Sequence, residues 1–244
     1  MAENDRADIF LVVQGFAETR AEAQAAIRAG CVHADGERVV KSSQPLRSRM
    51  KIKYERAHPY VSRGGVKLAA ALKKFGYSAA GRVCLDIGAS TGGFTQVLLQ
   101  DGAVRVYAVD VGHNQLSREL VSDPRLVSLE GLNARDLSHA LIHEPIDAIV
   151  ADVSFISLKL ALPSSLSRAS KNAWAVLLVK PQFEAGRDHV DKGGIVKSKE
   201  ARVTVANDMI AWIKDQDWYV EGIMQSPITG ADGNQEYLLA ARRN

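Results

Sequence analysis

The chain predicts two folded parts: a small N-terminal α+β module and a larger α/β domain built on a doubly wound, mainly parallel sheet. Three observations carry this. From residue 83 onward, short apolar runs alternate with helical patterns. The first of those runs enters a glycine-rich turn that opens a helix. Ahead of them, an Asp-Gly pair flanked by short apolar segments marks a hairpin in a region dense in basic residues.

In chain order, a short apolar helix (Ile9, Phe10, Leu11, Val13) stops at Gly15. Thr19-x-x-Glu22 then forms a capping box for a second helix through Ala29, closed by Gly30. Strands Cys31–Ala34 and Glu37–Val40 flank Asp35-Gly36, and Lys51–Tyr54 alternates as a further strand. His58-Pro59-Tyr60 reads as the hinge, because proline disfavours helix at the residue before it. The expected divisions are a first domain at 1–57, a linker at 58–65 and a second domain at 66–244. An amphipathic helix from Val66 to Phe75 leads into seven strands at 83–87, 104–109, 126–129, 146–151, 174–179, 219–225 and 235–241. Helices are expected near 93–101, 114–121, 156–168 and 199–215. No helix separates the last two strands, which predicts an antiparallel hairpin at a sheet edge.

At 244 residues the chain has room for one large core and a small module. No apolar run reaches the length of a membrane span, and no secretory signal opens the sequence. Two cysteines, Cys31 and Cys84, lie outside any C-x-x-C pair, which argues against a disulfide framework or structural zinc and for a reducing cytoplasm. No metal site is expected. The net charge of +3 conceals an asymmetry. Arg38 to Lys74 holds eleven Lys/Arg and a single acid, Glu55, while the remainder has 20 basic and 27 acidic residues. Charge concentrated in this way is the footprint of a polyanion-binding face.

The turn Asp86-Ile87-Gly88-Ala89-Ser90-Thr91-Gly92-Gly93-Phe94 has the spacing G-x-x-x-G-G, which differs from the G-x-G-x-x-G of a pyrophosphate clamp. A cofactor lacking a diphosphate is favoured, S-adenosylmethionine foremost. A side chain at Gly92 is expected to fill the space where backbone meets ligand. Asp110, ending the second strand 22 residues after Gly88, suits the hydroxyls of a ribose. Asp152 and Lys180 end two further strands on the same side. Glu236 comes from what reads as the edge strand, and Lys67 lies one turn into the helix before the sheet.

The segment RADIFLVVQGFAETRAEAQAAIRAGCVHADGERVVKSSQPL resembles the S4 RNA-binding domain, departing from the usual pattern at Ala7 and Asp35. That resemblance implies RNA-facing roles for Arg6, Arg20, Lys41 and Arg47, with Arg49 and Arg63 in the same basic stretch. Lys67, Asp152, Lys180 and Glu236 fall in the order and context of the K-D-K-E tetrad of FtsJ-like RNA ribose 2′-O-methyltransferases. Together with YVSRGGVKL, LDIGASTGGF, AVDVG, ADVSFISL, VKPQFEAGR and GNQEY, the chain resembles the TlyA family, whose members often carry the haemolysin label. The resemblance implies a seven-stranded Rossmann-like, S-adenosylmethionine-dependent methyltransferase domain behind an S4 domain, acting on cytidine ribose in ribosomal RNA. It implies cofactor contacts from Asp86, Gly88 through Phe94, Asp110, Asn133 and Asp152, with Glu130 and Asp136 near the adenine. The segment LEGLNARDL departs from relatives, which commonly carry Arg-Thr before the asparagine. The large ribosomal subunit is the expected target, because the chain stops soon after Glu236 like the shorter family members.

A ribose hydroxyl must lose its proton as it attacks the sulfonium methyl. A lysine accepts that proton only when neutral, a form that a neighbouring cation favours and a carboxylate opposes. Lys180 is the expected base, oriented by Asp152; Lys67 would steady the attacking oxygen or a phosphate, held by Glu236. Asp152-Val153-Ser154-Phe155 replaces the N/D-P-P-Y/F clamp of base N-methyltransferases, which points to ribose. Phe155 and Phe183 could stack a splayed base. Three other readings are a membrane-lytic protein, which needs an exposed amphipathic helix such as 199–215, a non-catalytic RNA binder, and a nicotinamide dehydrogenase.

Overall fold

The computed structural model describes residues 5–244, so residues 1–4 of the expected first domain lie outside the described residues. The chain divides into two compact units, one ending at Ser62 and the other spanning Arg63–Asn244.

The first unit contains β1 (Asp5–Arg6), α1 (Ala7–Val13), α2 (Arg20–Ala29), β2 (Val32–Ala34), β3 (Glu37–Arg38), β4 (Pro45–Leu46) and β5 (Ile52–Tyr54). β2 pairs antiparallel with both β3 and β5, and β1 pairs with β4. Asp35 and Gly36 at φ 51° and 87° make the primed turn between β2 and β3, and Asp35 accepts a hydrogen bond from Lys51 N. Thr19 caps α2 by accepting from Glu22 N. The other half of the capping box is altered: Glu22 accepts from Glu18 N, from the Tyr54 hydroxyl and from Arg56. Phe10, Leu11, Ala26, Ile27, Val32 and Leu46 form the core.

The second unit opens with α3 (Arg63–Phe75), which starts three residues earlier than its hydrophobic pattern suggests. Next come β6 (Val83–Ile87), α4 (Gly93–Gln100), β7 (Arg105–Asp110), α5 (Arg118–Val121), β8 (Leu126–Glu130) and β9 (Ile146–Ala151). They are followed by α6 (Leu158–Ala161), α7 (Pro163–Leu166), β10 (Ala169–Val179), α8 (Pro181–Glu184), α9 (Lys199–Lys214), β11 (Trp218–Gln225) and β12 (Tyr237–Arg243). The seven strands form one sheet in the order β11-β12-β10-β9-β6-β7-β8. β12 runs antiparallel to both neighbours and the other six strands share one direction, β10, β9, β6, β7 and β8 pairing in parallel.

Side chains alternate faces along each strand. Leu85 and Ile87 of β6 join Ala175, Leu177 and Val179 of β10 in a core that Ala201, Val205, Met209 and Ile213 of α9 cover. The intervening Asp86 accepts a hydrogen bond from Thr95 of α4, on the opposite face. Two expected helices are shorter than their apolar patterns. Residues 114–116 stay irregular because Glu130 accepts from the N–H groups of Asn114, Gln115 and Leu116, competing with a helical ladder. The span 156–168 breaks at Leu162, where Pro163 starts α7. Glu236 does not belong to an edge strand: it precedes β12, which lies between β10 and the true edge β11.

Candidate active site

The carboxyl ends of the parallel strands meet along one sheet edge, where open α/β sheets bind ligands. Gly88 follows β6, Asp110 ends β7, Asp152 follows β9 and Lys180 follows β10. β12 runs the other way, so its amino end lies here too. Val179 pairs with Tyr237, which brings Lys180 and Glu236 to the same edge. Lys67, on the buried stripe of α3 with Leu68, Ala71 and Leu72, approaches from the flanking helix.

Two lysine–carboxylate pairs result. Lys67 Nζ donates to Glu236 Oε2 at 2.5 Å, with both residues buried. Gly230 makes room for that carboxylate, since a Cβ there would sit 2.7 Å from Glu236 Oε1. Lys180 Nζ, also buried, lies 2.6 Å from Asp152 Oδ1 and donates to Ser154 Oγ at 2.8 Å. The two contacts of Lys180 differ in kind. The approach to Asp152 is an ion pair outside hydrogen-bond directionality, whereas the bond to Ser154 is directional.

Beside them opens a cavity of about 470 Å³. Its polar wall includes Ser90, Asp110, Gln115, Asn133, Asp152 and Ser154, and its apolar wall Ile87, Val109, Leu132, Val153 and Ile156. The volume suits a small cofactor, and the mixture suits a flat ring attached to a hydroxylated sugar. Asp110 accepts from Ser90 N at 2.8 Å and Gly112 N at 2.7 Å, which orients its carboxylate and leaves further lone pairs for hydroxyl donors. Asn133 accepts from Arg135 N while lining the cavity. Glu130 serves the 114–116 backbone, and neither it nor Asp136 forms the cavity wall.

The glycine-rich turn acts differently along its length. Gly88 lines the cavity at φ +80°, and a Cβ there would come within 2.5 Å of the Asp152 carbonyl oxygen. Gly92, at φ +92°, faces away: its Cβ would strike Leu120 Cδ1 at 2.4 Å and Leu116 Cδ2 at 3.1 Å. The space over Gly92 therefore belongs to the packing of α5, contrary to the expectation that a ligand fills it. Ala89, Thr91, Gly93 and Phe94 shape the turn and the start of α4 without forming the cavity wall. Asp86 lies beneath them, fully buried. Burial pushes its carboxyl up to about 7 against the opposing bond from Thr95, and its Oδ1 meets no donor among the described residues. Cys84 is inert packing, its thiol pushed up to about 12 by burial. Phe155 is 92% exposed at φ +65°, its ring centroid 5.3 Å from that of Phe183.

In the first unit the feature that sequence reasoning missed is Asp8. This buried carboxylate accepts from Arg6, Arg20, Gln24 and the Ile9 N–H. Burial alone would raise it, but hydrogen bonds from Arg6, Gln24 and Arg20 hold it well below the usual carboxylate range. The guanidinium groups of Arg6 and Arg20 are thereby fixed at the surface. Lys41, Arg47 and Arg49 are exposed on the same unit. Arg63 belongs to the second unit, where it donates to the Thr229 carbonyl. A polar residue with Arg and Gln at helical spacing nearby was the available signal for the Asp8 cluster.

A mainly parallel sheet with this strand order, a cavity at its carboxyl edge and two buried lysines, each beside a carboxylate, define a Rossmann-like fold of the methyltransferase type. Residues 60–243 match the FtsJ-like methyltransferase family, and residues 5–52 match the S4 domain. The chain belongs to the TlyA family of FtsJ-like methyltransferases. It is 43% identical over 244 residues to the 16S/23S rRNA (cytidine-2'-O)-methyltransferase TlyA of Mycobacterium tuberculosis, covering 99% of this chain and 91% of the relative. It is 43% identical to Hemolysin A of Brachyspira hyodysenteriae, covering 96% and 98% of the two chains. The structure of a hemolysin-named protein from Streptococcus thermophilus superposes with a TM-score of 0.80 at 39% identity, covering 100% of this chain and 90% of that one. Among the described residues no helix is long and apolar enough to cross a membrane, and the apolar stripe of α9 is spent on the sheet.

Proposed function

We propose that the chain is an S-adenosylmethionine-dependent methyltransferase acting on the 2′-hydroxyl of cytidine in ribosomal RNA. The observation that carries this is the meeting, at one sheet edge, of a cofactor-sized cavity with Asp152 on its wall and buried Lys180, Lys67 and Glu236. Family membership sets the reaction class, and the name of the Mycobacterium tuberculosis relative supplies the nucleotide and the two ribosomal RNAs.

Gly88, Ser90, Asp110, Asn133 and Asp152 would hold the cofactor, with Asp110 at its ribose hydroxyls and the apolar wall against its purine. The bound cofactor supplies an electrophilic methyl group. Lys180 would take the proton from the ribose hydroxyl as that oxygen accepts the methyl group, which the cofactor would supply with its sulfur as the leaving group. Asp152 draws Lys180 into place by charge. Lys67, steadied by Glu236, stabilises negative charge on the attacking oxygen or a neighbouring phosphate. Residues 1–57 would serve as the RNA-gripping domain through Arg6, Arg20, Lys41, Arg47 and Arg49, positioning the substrate without reading its sequence. The reaction would take place in the cytoplasm, with the large subunit favoured because a Campylobacter jejuni relative, 37% identical over 180 residues, bears the name 23S rRNA (cytidine-2'-O)-methyltransferase TlyA.

The test is transfer of a labelled methyl group to separated ribosomal subunits, followed by mapping of 2′-O-methyl positions. Label on a cytidine ribose is expected. Label on a base, or in neither subunit, sinks the reading.

A further inference from the structure

We infer that Ser154 is a positioning residue that sets the direction in which Lys180 accepts the proton. This rests on the reading of Lys180 as base. Neutral lysine has two N–H donors and one lone pair on Nζ, arranged tetrahedrally. Rotation about the Cε–Nζ bond sweeps the lone pair around a cone unless a directional hydrogen bond stops it. Asp152 does not, because its Oδ1 lies 2.6 Å from Nζ outside hydrogen-bond directionality and attracts by charge alone. Among the described residues, the one directional bond from Nζ goes to Ser154 Oγ at 2.8 Å. With one N–H held by Ser154 the rotation stops, and the charge of the Asp152 carboxylate favours the second N–H over the lone pair on its own side, which leaves the lone pair the remaining direction.

The backbone bears this out. Ser154 lines the cavity two residues after Asp152, and the next residue, Phe155, adopts φ +65°. A bulky aromatic residue rarely enters that left-handed region, and such strain collects where geometry serves function. Here the turn sends the Phe155 ring into solvent while the preceding hydroxyl stays on Lys180. The Ser154 side chain thus borders both the lysine and the cavity proposed for the cofactor.

The test compares Ser154→Ala, which removes the acceptor, with Ser154→Thr, which keeps it and has room for the added methyl because residue 154 is exposed. Single-turnover rates are measured at saturating cofactor and ribosomal RNA, and cofactor affinity is measured separately by calorimetry. Ser154→Ala is expected to lower the rate by roughly tenfold to a hundredfold, the scale for a misoriented catalytic group. Its cofactor affinity should stay within about twofold, and Ser154→Thr should recover most of the rate. A Ser154→Ala rate within about twofold of wild type overturns the inference. Parallel losses of rate and cofactor affinity, or no recovery in Ser154→Thr, also overturn it, by making Ser154 only part of the cavity wall. Failure of the wild-type protein itself to methylate either subunit's RNA brings down the underlying function instead, so the two failures are distinguishable.

Discussion

The two units treat their paired charges in opposite ways. In the first, the acid is buried and the bases are not: Asp8 is fully enclosed, while the side chains of Arg6 and Arg20 remain 47% and 57% exposed. In the second, the bases are buried: Lys67 and Lys180 lie within the fold, each beside a carboxylate. Arginine keeps its charge at any working pH and offers a planar fork, which suits a phosphate contact at the surface. Lysine exchanges its proton, and enclosure makes that exchange sensitive to its neighbours. On the roles proposed above, cation and carboxylate would make a grip where only the acid is enclosed and reaction chemistry where the base is enclosed too.

The sharpest way to break this contrast is to put an arginine where the buried lysine stands. Lys180→Arg and Lys180→Ala should both lose methyl transfer by about a hundredfold or more, the low end for removal of a general base. Cofactor and RNA affinities should be retained, and single-turnover assays with calorimetry check both. Substantial turnover by Lys180→Arg would reduce Lys180 to a phosphate anchor.

The next largest effect concerns stability. Glu236→Leu leaves Lys67 buried without its counterion and should cost about 3–5 kcal/mol in denaturant unfolding. Adding Lys67→Met should restore most of that stability without restoring activity. Equal stability in single and double variants would mean that Lys67 escapes to solvent.

Acidity should then separate the two units. Asp8 has a lowered folded-state value, so its contribution to stability is present above the ordinary carboxylate range and is lost as pH falls below that range through the lowered value. Asp86 runs the other way. Its raised value of about 7 makes a contribution that is present below the usual range and fades as pH rises toward 7. Asp8→Asn should flatten the acid side of the melting profile and Asp86→Asn the neutral side, each by roughly 1–3 kcal/mol, the scale of a buried polar group's bonds. Asp8→Asn should also weaken RNA binding, because Arg6 and Arg20 lose their anchor. A melting profile unchanged in either variant removes that half of the comparison.

The smallest effect belongs to single surface cations. Lys41→Ala should weaken RNA binding a few-fold, alike for all sequences, and reduce the slope of log affinity against log salt by about 1. An unchanged slope would take Lys41 out of the grip.

Much of this arrangement was legible in the sequence where local rules decide. The Asp35-Gly36 hairpin, the alternation from Val83 onward and the polar strand ends at Asp110, Asp152 and Lys180 each follow from a few adjacent residues. What was illegible depends on partners far along the chain. Gly92 looked like a ligand-facing glycine because Leu120, which occupies the space above it, lies on a different helix. The expected helix at 114–121 lost its first turn to Glu130, a carboxylate on the following strand. Asp8 was missed because Arg20 and Gln24 meet it from the next helix. Ser154 gave no signal, since its role depends on where Lys180 ends its reach.

The placement of β12 between β10 and β11 has a consequence for how the protein matures. On the ribosome, 169 positions separate Lys67 from Glu236, so the lysine emerges long before its counterion is made. The late-made strand must insert into the sheet's interior, leaving β10 and β11 without their shared neighbour until it arrives. A premature stop just before Tyr237 would thus remove an inner strand rather than trim a border. Such a product would expose both flanking strands to aggregation, and losing the last few residues should be nearly as damaging as losing the whole domain.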